Sequence, residues 1–205
     1  MTLAHPLSFQ LFYLTNNYIS FTMKTLLKAG LFTILAVLFT TGLTFAQARG
    51  EGERASPNAA VSQTIGATDV SITYGRPALK ERTYFSADAK LAPAGKVWRT
   101  GANESTVVTF STDVMVGDKA VKAGTYSIYT IPGAKEWTII ISKKLSWGTQ
   151  YDAAEDVVRA TTTAVSNKAA SAEWFNIYFD TLSATKAHMN LHWGTTSVAV
   201  PISVK

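Results

Sequence analysis

From residue 70 onward, apolar side chains return at every second position in run after run. Val70, Ile72 and Tyr74 alternate with Asp69, Ser71 and Thr73, and Thr106, Val108 and Phe110 with Ser105, Val107 and Thr109. Tyr126 and Ile128 share one side, as do Trp137, Ile139 and Ile141. Phe175, Ile177 and Phe179 oppose Trp174, Asn176, Tyr178 and Asp180. Met189, Leu191 and Trp193 oppose His188, Asn190 and His192. Successive side chains of a strand point to opposite faces, so each run reads as a strand with one buried side. Val198 and Val200 lead to Pro201, which lacks a ladder donor and suits an edge strand. The punctuation agrees: Gly117-Asp118 makes a hairpin turn, Gly124 precedes a strand, and Ile131-Pro132-Gly133 closes one. Helical character is confined to Tyr84–Leu91 and a short turn at Tyr151–Val157. The pattern predicts an all-β single domain, an antiparallel β-sandwich or jelly-roll-like fold of about eight or more strands. At most one or two short helices accompany it.

The first 48 residues differ from the rest in holding no Asp or Glu. From Met23 the chain reads as a secretory signal peptide ending at Ala48. Lys24 and Lys28 lead an apolar stretch from Ala29 to Leu43, and Ala46-Gln47-Ala48 is an A-x-A exit. An uncleaved anchor is the rival reading, because Ala29 to Phe45 approaches spanning length; its threonines and the A-x-A exit weigh against it. Residues 1–22 fit no targeting pattern and read as a misassigned extension. Residues 49–55 read as a flexible polar leader, and 56–205 as the β-sandwich domain. Cleavage removes two lysines from the 19 basic residues, leaving 17 against 14 acidic ones, a net +3. With basic residues scattered, no nucleic-acid footprint is present. The absence of cysteine excludes disulfides, thiolate metal sites and a lipoprotein anchor. The expected address is periplasmic or extracellular, with no lipid anchor and no stable membrane insertion after cleavage.

Chemistry-bearing residues concentrate in Gly95–Ser105, "GKVWRTGANES". If Lys96–Arg99 and the residues from Ser105 flank a four-residue loop, Arg99 stands opposite Glu104, giving a cross-strand ion pair. Trp98, pointing the other way, enters the core. Alternatively, Arg99, Asn103 and Glu104 grip a carboxylate or sugar hydroxyls. Arg76, Lys80 and Arg82 add a basic loop that reads either as solvated surface or as part of an anion patch. The candidate ligand-binding set is therefore Arg76, Trp98, Arg99, Asn103 and Glu104. No catalytic residue, metal ligand or cofactor is assigned. His188 and His192 have metal-like i, i+4 spacing, but on a strand they lie roughly 13 Å apart. The acidic run Asp152–Asp156 lacks the alternating ligands and glycine of a calcium loop. Trp174 and Tyr178 fall on the polar side of their strand, and Trp147 in a Gly-containing loop.

Four strings, "SQTIGATDVSITYGRP", "GKVWRTGANESTVVTF", "AGTYSIYTIPGAKEWTIIIS" and "EWFNIYF", together resemble an exported bacterial family, domain of unknown function 2911. The resemblance runs from about Ser56 to Ile202 and implies a signal peptide followed by a compact β-rich domain, with no reaction assigned. Its hallmark positions correspond here to Tyr74, Arg76, Pro77, Trp98 to Glu104, Gly124 to Tyr126, Pro132 and Trp137. Ala94 stands where similar chains carry a tyrosine before the V-W-R-T string.

Three functions compete. The first is a non-catalytic module binding a saccharide, peptide or anionic small molecule near Trp98–Glu104. The second is an envelope assembly partner acting through a sheet edge or aromatic face. The third is a hydrolase with Glu104 as base, for which no nucleophile or orienting partner is visible.

Overall fold

Each alternating run is a strand, because only an extended backbone sends every second side chain into one interior. The structure is a computed structural model that describes residues 52–163 and 165–205. The segments read as a signal peptide, residues 23–48, and as a misassigned extension, residues 1–22, lie outside the described residues. Twelve strands are present among the described residues: β1 (Asn58–Ile65), β2 (Thr68–Gly75), β3 (Thr106–Phe110), β4 (Val114–Val116), β5 (Lys119–Val121), β6 (Gly124–Ile131), β7 (Trp137–Ser142), β8 (Asp156–Thr162), β9 (Val165–Ser166), β10 (Ala172–Ser183), β11 (Lys186–Gly194) and β12 (Thr196–Ser203). They form two antiparallel sheets. Sheet 1 runs β1-β2-β3-β6-β7-β8, and sheet 2 runs β10-β11-β12-β4-β5 with β9 paired to β12.

One apolar core lies between them. Sheet 1 contributes Val70, Ile72, Val108, Ile128, Ile139 and Ile141; sheet 2 answers with Phe175, Ile177, Met189, Leu191, Val198 and Val200. Removing such side chains from water contributes about 1.5–3 kcal/mol each, offset by the entropy of ordering the chain. At one end the core turns aromatic, with Trp98 stacked on Trp193 at 5.7 Å and edge-on to Phe175 at 5.1 Å.

Two sequence expectations need correction and a third is narrowed. Tyr84–Leu91 is an open loop rather than a helix; Tyr84 bridges Leu91, and Phe85 takes φ 54°. The cause is tertiary, since the Phe85 ring sits among Trp98, Trp137 and Trp193 at 5.4, 4.7 and 5.9 Å. The second helical segment contracts to one 3-10 turn, Ala153–Glu155, capped by the Asp152 carboxylate accepting from the Ala154 N–H. Finally, β12 is not an edge. β11 flanks one side, while β9 (against Ser197 and Val198) and β4 (against Ile202 and Ser203) share the other. Pro201 falls in the gap between those short partners, where only its carbonyl is needed, accepting from the Gly117 N–H at 2.8 Å.

Candidate functional site

The stretch 98–105 does not form a hairpin with itself. Trp98 and Thr130 exchange backbone hydrogen bonds of 2.7 and 2.9 Å, so the segment pairs with the end of β6. Trp98 is thereby turned into the aromatic core, at 8% exposure. The next side chain along must leave by the opposite face, and Arg99 joins Tyr129 on the outer side of sheet 1. The chain then winds through Thr100, Gly101 and Asn103, all at positive φ (53°, 155° and 65°). Thr100 is held there by its hydroxyl on Thr130 at 3.1 Å and its carbonyl on the Thr106 hydroxyl at 2.6 Å. Gly75 permits the close return of this loop: a Cβ at that position would meet the Ala102 carbonyl at 2.3 Å.

A second loop, residues 143–155, closes over the outer face of β6 and β7. Its ends meet through Lys143 N–H to the Glu155 carbonyl at 2.9 Å, the geometry of a compact surface loop packed on its own side chains. Residues 146–148 run antiparallel to 103–105. Ser105 N–H donates to Ser146 and Gly148 N–H to Asn103, both at 3.1 Å. Tyr151 lies on Tyr129 with ring centroids 4.8 Å apart. Its hydroxyl donates to Asp156 Oδ2 at 2.7 Å and accepts from Arg159 Nη2 at 2.7 Å. Burial, reinforced by the bond to Asp156, pushes the Tyr151 phenol up to about 12. Beneath this cover, outward-facing Val107, Ser127, Tyr129, Ile140 and Ser142 are buried although they lie outside the main core. The Ser127 hydroxyl donates to the Lys144 carbonyl and takes its second bond from Ser105, each at 2.7 Å.

Polar groups sealed from water ordinarily find a partner. Among the described residues four sealed side-chain atoms have none: Arg99 Nε, Tyr129 Oη, Asp156 Oδ1 and, in the main core, Trp137 Nε1. Three of the four lie on the outer face of sheet 1, beneath or at the rim of loop 143–155. The stem of Arg99 rests against Gly148, where an added Cβ would come within 2.2 Å of Arg99 Cδ and 2.9 Å of the Asn103 carbonyl. Half-buried, Arg99 has its pKa lowered by desolvation. No carboxylate among the described residues pairs with it. The neighbouring charges do pair: Arg54 with Glu104 at 2.8 Å, Lys144 with Asp152 at 3.8 Å, and Arg159 with Asp156 at 2.8 Å. Among the described residues, the Arg99 guanidinium is thus left without a compensating carboxylate.

The profile of a protein family of unknown function, DUF2911, matches residues 56–202. The chain belongs to the DUF2911 family. Among curated proteins and solved structures, none matches it. In this DUF2911 domain most of the positions that carry the resemblance hold the fold together. The Tyr74 hydroxyl donates to Asn176 at 3.1 Å and accepts from the Ile177 N–H at 3.0 Å. Arg76 Nε donates to the Phe175 carbonyl at 2.9 Å, so the arginine is turned to the backbone of β10. Asn103 donates to the Ser56 carbonyl at 3.0 Å. Glu104 faces Arg54 and not Arg99, accepting three hydrogen bonds of 2.8 to 3.0 Å from that guanidinium. The expected Arg99–Glu104 ion pair is therefore replaced by one to the leader, and this part of the leader is anchored. Of the three charged candidates, Arg99 alone makes no side-chain hydrogen bond or ion pair among the described residues.

Sequence reasoning missed Tyr129 and Gly148. Tyr129 alternates with Ile128 and reads as the ordinary polar side of a strand, and only the overlying loop makes its burial visible. The exposed tryptophans stand elsewhere. Trp147, 48% exposed, pairs with Glu104 across the small ladder and so leaves on the side opposite to Gly148 and Arg99. Trp174 is 39% exposed at the start of β10. A groove of about 720 Å³ opens at the far end of β3, lined by residues that include Asp113, Val114, Met115, Val121, Lys122 and Val204. Its Asp113–Lys122 ion pair, at 2.7 Å, is self-compensated.

Proposed function

We propose that this protein is an exported binding module of the cell envelope that grips an anionic group of a small ligand through Arg99. The single observation behind this reading is a half-buried arginine whose Nε is sealed without a hydrogen-bond partner and faces no carboxylate among the described residues. Holding a cation out of water is costly unless an anion compensates it, so Arg99 is an arrangement that a ligand completes. A guanidinium fork suits a planar, bidentate acceptor. The rest of the site is strand and a loop whose ends are joined by a hydrogen bond, a frame for recognition more than for chemistry. Glu104, the sequence's candidate base, is a carboxylate already engaged by a guanidinium and poorly placed to take a proton. Thermal-shift and calorimetric screening against carboxylates, sugar acids and phosphates tests the reading. Saturable binding that Arg99→Ala abolishes supports it, and hits that survive Arg99→Ala place the site elsewhere.

A second reading, assembly through a sheet edge, draws on β1, which pairs only with β2 among the described residues. Such an edge is open to strand addition. Cross-linking in the native envelope that captures no partner at Asn58–Ile65 removes it.

A further inference from the structure

We infer that the Tyr129 hydroxyl is a specificity determinant of the Arg99 site and that the ligand group held there is a monoanionic carboxylate, bound beneath loop 143–155. This rests on the reading of Arg99 as an anion-gripping residue and names what that anion is. Trp98 pairs with Thr130, so continuing the register by one residue brings Arg99 beside Tyr129 on the outer face. Directly opposed side chains on one face of an antiparallel pair lie about 5 Å apart at Cβ. Both present a sealed donor without a partner, the guanidinium Nε–H and the phenol O–H. Two unpartnered donors on side chains that the register sets next to each other suit an acceptor with two oxygens.

Charge selects among acceptors. Arg54 pairs with Glu104, Lys144 with Asp152 and Arg159 with Asp156, whereas the Arg99 charge meets no carboxylate among the described residues. A carboxylate balances that charge, whereas a phosphate near two negative charges leaves an uncompensated anion in a desolvated site. Because Tyr129 is fully covered, entry requires residues 146–148 to part from 103–105, breaking the two backbone hydrogen bonds of 3.1 Å that join them. Gly148, with no side chain to wedge against Arg99, lets the loop settle again over the occupied site.

The purified protein is titrated at pH 8 with acetate and D-glucuronate as monoanions, acetamide as the neutral isostere and inorganic phosphate as the multiply charged anion. At least one carboxylate binds saturably, acetamide does not, and phosphate binds about ten-fold more weakly or not at all. In Tyr129→Phe the carboxylate dissociation constant rises about ten-fold, while the melting temperature without ligand stays level or increases, since the variant deletes a hydroxyl that the empty fold leaves unsatisfied. A hydroxyl with a merely structural role gives the reverse, a lower melting temperature with unchanged affinity. Carboxylate affinity unchanged in Tyr129→Phe but lost in Arg99→Ala overturns this inference and leaves the anion-binding reading standing. Phosphate binding more tightly than either carboxylate also overturns the inference. Retention of binding in both variants overturns the two readings together.

Discussion

Trp98 and Arg99 are chain neighbours that belong to different worlds. Trp98 faces the interior, where rings stack and cross at 5.1 to 6.4 Å and the surroundings are apolar. Arg99 faces the outside of sheet 1, where a loop has made a second interior from serines, a tyrosine and two aliphatic side chains. The first is held by removal of apolar surface from water, which is indifferent to direction. The second depends on hydrogen bonds, which must be directed, and there three sealed polar atoms have no partner among the described residues. The contrast teaches that a buried region of modest apolar content, with unmet donors, is the place to look for a ligand; the apolar core is where stability resides.

Truncation in the aromatic core gives the largest effect. Trp193→Ala, which removes the ring stacked on Trp98, is expected to destabilise the protein by about 3–5 kcal/mol, read by denaturant unfolding, and a loss below about 1 kcal/mol would show that the loops, not the inner face, hold the fold. Next comes Gly148→Val. Its Cβ meets Arg99 Cδ and the Asn103 carbonyl, so a loss of about 1–3 kcal/mol is expected together with loss of carboxylate binding. Wild-type binding in that variant would separate the loop from the site. Tyr151→Phe removes one donor from the Asp156–Arg159 cluster and is expected to cost about 1 kcal/mol near neutral pH. It also carries a pH signature. The folded phenol titrates at about 12 against 10.0 for the ordinary group, so the folded protein keeps a proton that the unfolded chain releases. That contribution is fully present below pH 10.0 and is lost as the pH climbs through about 12. Tyr151→Phe flattens the stability profile in this window, and an unchanged slope there assigns the alkaline transition to another group. Arg54→Ala has the smallest effect. It removes three hydrogen bonds that the mostly buried Glu104 carboxylate accepts, so the melting temperature is expected to fall by a few degrees, and an unchanged melting temperature would mean that the leader is held by something other than Glu104.

How far the sequence could be read follows the same divide. Alternation located the strands whose inner face is an unbroken apolar row, as at Val70–Tyr74, Phe175–Phe179 and Met189–Trp193, and passed over β1 and β8, whose core contributions include Ile65 and Ala160. The hairpin at Gly117-Asp118 was legible for a similarly local reason, with Val116 directly opposite Lys119. Reading failed where a distant residue supplied the partner. Glu104 was matched to the nearest cation, Arg99, but its actual partner is Arg54, 50 residues away in the chain. Tyr84–Leu91 has a composition fit for a helix, and the hole that Phe85 fills exists only after three tryptophans from separate segments have met. Arg99 stood out in the sequence for its chemistry, but it was matched to Glu104, whose guanidinium partner is Arg54.

Local periodicity and turn residues thus determined the all-β class, the inward side of most strands and the opposite bearings of Trp98 and Arg99, since these depend only on backbone geometry from one residue to the next. The tertiary structure decided that Arg54 meets Glu104, that loop 143–155 buries Tyr129, and that Arg99 meets no acid among the described residues. Those outcomes depend on which remote segments come within hydrogen-bond reach, and no pattern along the chain encodes that distance.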